Sequence, residues 1–153
     1  MRFGHATNFR GVVGHPAGVT SIKDLFYLAN GDIELSIREV ASTGYSGVEL
    51  FDGNLVEFPG GLNALKALLT ELQINLVAVY FGANFIFAEI LDEELWRIEK
   101  AAKIAAELGA EHLVVGGGAK RSSGNTSSDY ILLGQGLDKV VEIAEKYGLI
   151  PSF

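Results

Sequence analysis

Apolar residues recur at helical spacing in four stretches of the chain, each backed by polar residues. In the third stretch, "ELWRIEKAAKIAAEL", the apolar stripe places Glu94 and Arg97 mainly on the polar side. Asp32 precedes the first stripe and fits an N-cap. Gly134 and Gly136 weaken the last helix and predict irregular first turns, since glycine is a poor helix former. The period predicts four main helices, with stripes over residues 33–41, 62–72, 95–108 and 130–144.

Each helix is followed by a tight turn and a short apolar run, namely "GVELF", "LVAVYF", "HLVV" and "LIPSF", while "RFGHAT" opens the chain. Continuous apolar runs are typical of strands that are covered on both faces. Strands that alternate with helices form parallel sheets with right-handed crossovers. No linker divides the pattern, so residues 1–153 are predicted to be one α/β unit. The predicted strands are residues 2–7, 47–50, 75–80, 112–116 and 149–153.

Two parallel architectures fit five strands and four helices. A flavodoxin-like binding domain would have strand order 2-1-3-4-5 and a ligand loop after an early strand, but no GxGxxG or GxxxxGK[ST] motif occurs. A TIM barrel has eight strands over ~250 residues. The apolar run from Leu149 to Phe153 reads as a strand whose backbone groups need a partner strand. We therefore favour about half of a TIM-type barrel.

Composition excludes several classes of protein. The net charge of −7 argues against a nucleic-acid partner, which requires a basic face. Without cysteine there is no disulfide, thiolate zinc site or cysteine nucleophile. No apolar run approaches the ~18 residues of a membrane span, so no membrane partner is predicted. We expect a cytoplasmic protein.

The segments "MRFGHATNF", "IREVASTGYSGVELF", "AAKIAAELGAEHLVV" and "GLDKVVEIAEKYGLIPSF" together resemble the N-terminal half of the xylose isomerase-like TIM barrels. That group contains sugar phosphate isomerases, epimerases and inosose dehydratases. The resemblance implies a sugar or polyol substrate and proton transfer next to a carbonyl by an isomerase or epimerase. An inosose dehydratase-type lyase is the alternative.

The resemblance also implies a divalent metal (Mn, Co, Mg or Zn) in the full-length parent. Its ligands lie on the fifth to eighth strands, beyond Phe153. We therefore expect this chain alone to hold no metal and to be inactive. The remaining alternative is a non-catalytic half-barrel scaffold.

Ligands of TIM barrels meet the C-terminal ends of the strands, which selects the candidate site residues. Glu49 is a carboxylate inside the apolar strand "GVELF", and burying it is costly unless it faces a pocket or a cation. We predict that Glu49 is catalytic; an ion pair with Arg2 or Arg10 is the structural alternative. The predicted substrate-binding residues are Asn8, Tyr80, Phe81, Gly117 and Lys120.

Two loops after strands carry further candidates. "GGGAKRSSGNTSSD" could hold a phosphate with Lys120 and Arg121, or form a solvated loop with Ser127 or Ser128 as N-cap. "YFGANFIFAEI" could form an aromatic substrate lid or a hydrophobic plug. The three histidines show no metal-ligand spacing.

A half barrel would leave two strand edges and an inner face, around Val77 and Val79, uncovered. Unpaired edges recruit further strands, and a large exposed apolar face is rare in a monomer. We therefore expect a homo-oligomer in which two copies pair the last strand of one with the first strand of the other.

Overall fold

The computed structural model of the chain describes residues 4–6, 13–14, 22–29, 31–118 and 120–153. The strands are β1 (Gly4–Ala6), β2 (Val13–Gly14), β3 (Leu28–Ala29), β4 (Gly47–Phe51), β5 (Asn75–Gly82), β6 (His112–Gly116) and β7 (Ile150–Ser152). The α-helices are α1 (Ile33–Ser42), α2 (Asp52–Val56), α3 (Gly61–Leu72), α4 (Leu91–Glu107) and α5 (Ser127–Lys146).

Five strands form one parallel sheet in the order β1-β4-β5-β6-β7. This sequential order confirms the five predicted strands and the barrel-type sheet, and it excludes the flavodoxin-like order. Each crossover helix leads to the adjacent strand, as in a (β/α) barrel. Strands β2 and β3 form a separate antiparallel pair in the segment between β1 and α1. Of the helices in the described part of the chain, none has the length and apolarity that a bilayer crossing needs.

The four predicted helices are present, and local signals explain their ends. The Asp32 carboxylate caps α1 by accepting from the Leu35 N–H at 2.9 Å. Helix α5 is capped by Thr126, one residue before the predicted Ser127 or Ser128, in a capping box with Asp129. Its first turns are regular despite two glycines, contrary to the predicted irregularity. The short helix α2 has too few residues for a periodic signal and was not predicted.

The core lies between the sheet and the helices, and the strands alternate between two environments. Val48 and Leu50 of β4 are fully buried in the core, whereas Glu49 between them lies on the opposite face. We call that opposite face the open face. Strand pairing assigns to it Glu49 and Phe51 of β4, Ala78, Tyr80 and Gly82 of β5, His112, Val114 and Gly116 of β6, and Ile150 and Ser152 of β7.

A bulge in β5 corrects the predicted inner face. Val48 pairs with Leu76 while Glu49 pairs with Ala78, so Val77 is an extra residue in β5. Val79 is consequently buried in the core, not on the inner face as predicted. Ala78 and Tyr80 take the open-face positions instead.

Candidate functional site

Glu49 is a half-buried carboxylate on the open face. Partial burial raises the pKa of its carboxyl above the ordinary value, because water no longer fully solvates the charged form. No hydrogen bond or ion pair joins Glu49 to another residue of the described ranges. The alternative partners Arg2 and Arg10 lie outside those ranges. Glu49 therefore points away from the helices, as predicted, and its role stays a prediction.

Tyr80 lies on the adjacent strand opposite Phe51, two residues beyond Ala78, the residue that pairs with Glu49. Its ring meets that of Phe51 edge to face, with centroids 5.4 Å apart. The hydroxyl lies over Gly116, where any Cβ would overlap it. Burial raises the pKa of Tyr80 most, and the neighbouring Tyr27 and Glu49 raise it further. The phenol is therefore a neutral hydrogen-bond donor beside the carboxylate.

Tyr27 reaches the same end of the sheet from the segment before α1. A Cβ on Gly82, at the end of β5, would lie 2.8 Å from the Tyr27 hydroxyl oxygen, so Gly82 leaves the space that Tyr27 occupies. The Tyr27 N–H donates to Asp52 Oδ1 at 2.8 Å, and its carbonyl accepts from the Gly53 N–H at 2.8 Å. The start of helix α2 thus fixes the backbone of Tyr27 near the C-terminal ends of the strands.

A buried charge cluster lies beneath this segment. Arg97 Nη1 donates to Asp52 Oδ2 at 2.6 Å, and Nη2 donates to Glu94 Oε2 at 2.7 Å and to the Gly82 carbonyl. All three charged side chains are almost fully buried. This corrects the expectation that Glu94 and Arg97 lie on the polar face of α4. Their charges are buried because each has a charged partner.

The cluster contains two carboxylates and one guanidinium, and burial affects the pKa of Asp52. Burial raises the pKa of Asp52 to about 6, although Arg97 and the N–H groups of Tyr27 and Gly53 act to lower it. Asn54 is the second residue of α2, after Asp52, that binds the segment before α1, since its side chain exchanges two hydrogen bonds with the backbone of Ala29 in β3. Helix α2 therefore attaches the segment before α1 to the sheet.

The other predicted site residues lie in different parts of the structure. Asn8 lies outside the described residues. Gly117 and Lys120 are exposed in the loop after β6. Phe81 is fully buried in the core on the helix side, which leaves it no surface for a ligand, so it is not carried into the proposed site. The structure brings together Glu49 and Tyr80.

Two loops after strands were each predicted to bind a ligand or to have a structural role. Their described residues make mainly structural contacts. Arg121, considered for phosphate binding, donates from Nε to Asp129 Oδ1 at 2.9 Å and from Nη2 to the Ile86 carbonyl. Phe85, considered for a lid, is buried and packs against Gly136 of α5. Its position corresponds to the hydrophobic plug.

Comparison with known proteins identifies the architecture. The family model described as the xylose isomerase-like TIM barrel matches residues 37–152. The chain belongs to this family. The match includes β4, β5 and β6, and therefore the strands that carry Glu49 and Tyr80. Among curated proteins, no sequence matches.

Solved structures with the same fold include proteins described as sugar epimerases and a probable dehydratase. A D-psicose 3-epimerase from Clostridium cellulolyticum H10, solved with D-tagatose, superposes with a TM-score of 0.71 at 17% identity over 99% of this chain and 51% of its own. The 3-keto-D-glucoside 4-epimerase from E. coli superposes with a TM-score of 0.65 at 18% identity, over 80% of this chain and 50% of its own. The probable 3-DHS dehydratase of petrobactin synthesis from Bacillus anthracis superposes with a TM-score of 0.64 at 14% identity, over 99% of this chain and 51% of its own.

The chain spans about half the length of these three structures, and at such identities the likeness shows the fold. The described residues offer no ligand set for the metal that the family resemblance implies. Within residues 4–6, 13–14, 22–29, 31–118 and 120–153, no three His, Asp or Glu side chains are grouped closely enough to hold a metal ion. No step of the chemistry below is therefore assigned to a metal.

Sequence reasoning missed Tyr27 and the charge cluster. A signal for Glu94 and Arg97 existed, because residues 94, 97, 98, 101 and 105 lie at helical spacing and so on one side of α4. For Asp52 the signal was a carboxylate directly after an apolar strand. Nothing in the sequence pairs Tyr27 with Gly82, which depends on how the segment before α1 returns to the sheet.

Proposed function

We propose that the chain forms the substrate-orienting part of a sugar or polyol isomerase or epimerase, with Glu49 and Tyr80 contacting the sugar. The observation that carries the proposal is a half-buried carboxylate on the open face, without an ionic partner among the described residues. Membership of the family and the sugar epimerases that share its fold support the class of substrate.

Glu49 suits proton transfer at a carbon next to a carbonyl. An isomerase or epimerase removes that proton with a base and returns it to a neighbouring carbon or to the opposite face. A carboxylate whose pKa is raised by burial is a stronger base than an exposed one. The neutral Tyr80 phenol would donate a hydrogen bond to a sugar oxygen and so orient the reacting carbon.

An inosose dehydratase-type lyase is the second candidate, because a protein described as a probable dehydratase shares the fold. Such a reaction begins with the same proton removal and then loses hydroxide from the adjacent carbon. The two candidates differ in product, since only the lyase forms water and a double bond. In this proposal a divalent cation belongs to the full-length parent. A cytoplasmic location is part of the same proposal.

The test measures the binding of D-tagatose and D-fructose by calorimetry to the wild type and to Glu49→Gln. We expect the variant to bind at least about tenfold more weakly, since hydrogen bonds to a charged group contribute about 1.5–3 kcal/mol. Its melting temperature should stay close to that of the wild type. Glu145→Gln, an exposed carboxylate on α5, is the matched control.

Two outcomes of this test separate the alternatives, and a turnover assay complements it. If the wild type binds neither sugar, the chain is a non-catalytic scaffold and the proposal is wrong. Unchanged binding with a lower melting temperature in Glu49→Gln would assign Glu49 a structural role. Incubation with D-fructose in D₂O tests turnover: we expect no deuterium incorporation by this chain alone.

A further inference from the structure

Two tyrosine hydroxyls lie above a pair of glycines at the C-terminal ends of β5 and β6. Gly82 and Gly116 are the last residues of these strands and lie opposite each other in the parallel register. A Cβ on Gly82 would lie 2.8 Å from the Tyr27 hydroxyl oxygen, and one on Gly116 would overlap the Tyr80 hydroxyl. Since neighbouring strands are about 4.8 Å apart, the two phenols end over adjacent positions of the open face.

Both hydroxyls are available to a ligand. Within the described part of the chain, neither hydroxyl has a hydrogen-bond partner. Tyr80 is half-buried, and in that part of the chain Arg97 Nε is the one buried side-chain polar atom without a partner, so the unpaired Tyr80 hydroxyl is accessible to solvent. Tyr27 is 39% exposed and, with Gly82, lines a cavity of about 200 Å³. A small molecule can therefore reach the two phenols from the open face.

Tertiary contacts hold both phenols in position. The Tyr80 ring packs edge to face on Phe51, with centroids 5.4 Å apart. The backbone of Tyr27 is held on both sides, by Asp52 Oδ1 at its N–H and by the Gly53 N–H at its carbonyl. Binding groups that are already fixed in place lose little conformational entropy when a ligand arrives.

The charges around the two phenols favour an uncharged ligand. Burial raises the pKa of Tyr80 most, and the neighbouring Tyr27, Glu49 and Asp52 raise it further. The two carboxylates make this end of the sheet negative, which disfavours a phosphate or a carboxylate. A neutral phenol both donates and accepts hydrogen bonds, as a sugar hydroxyl does. The pair is therefore matched to hydroxyl groups.

We propose that Tyr27 and Tyr80 together bind two oxygens on neighbouring carbons of a sugar or polyol, one oxygen to each phenol. The proposal rests on the proposed function and extends it, because it makes Tyr27 a substrate-binding residue and gives the two phenols a role in specificity. A pair of fixed phenols selects a compound that carries both hydroxyls over one that lacks either. Residues 82 and 116 must be glycine because a side chain at either would fill the space of a phenol.

The first test observes the phenols directly. The chain has five tyrosines, so ¹³C labelling at tyrosine Cζ gives a simple spectrum, which Tyr→Phe variants assign. During a titration with D-tagatose, the signals of Tyr27 and Tyr80 should both shift and saturate at the same concentration. Tyr130, which is 63% exposed on α5, is the internal control and should not move. Inorganic phosphate is the anionic probe and should shift neither phenol.

The second test measures affinity by calorimetry. Tyr27→Phe and Tyr80→Phe each remove one hydroxyl and keep the ring, and each should weaken D-tagatose binding about fivefold, the effect of one neutral hydrogen bond. Tyr130→Phe is the matched control and should bind as the wild type does. The melting temperatures of Tyr27→Phe and Tyr80→Phe should also stay at the wild-type value, because neither hydroxyl bonds to another described residue.

The outcomes separate this proposal from the proposed function. If Glu49→Gln and Tyr80→Phe weaken binding but Tyr27→Phe does not, the paired site is wrong and the proposed function stands. If the wild type binds no sugar and neither phenol signal moves, both are overturned. A saturable shift of the two signals by phosphate would show an anion site and overturn the class of ligand proposed.

Discussion

Arg97 Nη1 lies 2.6 Å from Asp52 Oδ2, and both side chains are buried. Arg97 belongs to α4 and Asp52 begins α2, so this ion pair joins two helices across 45 residues of sequence. Glu94 is the second carboxylate on the same guanidinium. Since one cation serves two buried anions, the cluster should tolerate the loss of a carboxylate better than the loss of Arg97.

Arg97→Met should lower the free energy of unfolding by about 3–5 kcal/mol, because it leaves two buried carboxylates without a cation. Arg38→Met is the control: Arg38 pairs with Glu34 and Glu71 on the surface, and exposed pairs of this kind contribute little to stability. Urea unfolding at pH 7 measures both. Equal losses for the two variants would contradict the role assigned to the cluster.

Asp52 should make stability depend on pH in the direction opposite to an ordinary ion-paired carboxylate. Its pKa is about 6 in the folded chain and ~3.9 when unfolded. Between these values the folded state binds the proton more tightly, so the contribution of Asp52 to stability is present below about pH 4 and is lost as the pH rises to about 6. The loss is on the order of 3 kcal/mol.

Asp52→Asn should remove that dependence while retaining an oxygen acceptor for the Tyr27 N–H. The measurement is the free energy of unfolding of the wild type minus that of the variant, from pH 4 to pH 7. The pKa of Glu49 is also raised, but Glu49 is present in both chains, so its contribution cancels in the difference between their free energies of unfolding. A difference that does not change with pH would show that Arg97 outweighs burial at Asp52.

Two glycines of α5 provide a matched pair. An added Cβ at Gly136 would lie 2.6 Å from Phe85 Cδ1, whereas nothing lies within 4 Å of one at Gly134. Gly136→Ala should destabilise by ~1–3 kcal/mol through overpacking. Gly134→Ala should stabilise by ~1 kcal/mol through helix propensity. Thermal unfolding compares the two, and stabilisation by both substitutions would rule out the close packing of Phe85 on α5.

Self-association is expected from the strand edges. In the described sheet β1 pairs only with β4, and β7 pairs only with β6. Ile150 and Phe153 are 56% and 67% exposed beside the β7 edge. We expect two copies to pair β7 of one with β1 of the other, because unpaired edges recruit strands.

Ile150→Lys should weaken that association by placing a charge on the edge. Ile131→Lys, at a residue that is similarly exposed on α5, is the control and should not. Light scattering at micromolar concentration measures both. A wild-type monomer that does not bind an apolar dye would show that the edges do not associate.

The sequence by itself determined the elements and the face that carries Glu49. Apolar runs that alternate with amphipathic stripes gave strands β1, β4, β5, β6 and β7 and the four long helices, because burial of one helix face and of a whole strand leaves a local, periodic signature. Glu49 stood out because a carboxylate in an apolar strand has few favourable surroundings.

Only the tertiary structure decided which residues meet. Strand order and the bulge at Val77 moved Val79 and Phe81 into the core and Tyr80 onto the open face, because one extra residue changes the side on which a strand's side chains emerge. The sequence predicts a polar-face position for Arg97, whereas in the structure two carboxylates, one of them distant in sequence, surround its buried guanidinium. Burial of a charge is decided by its partners, and partners separated by 45 residues have no local signature in the sequence.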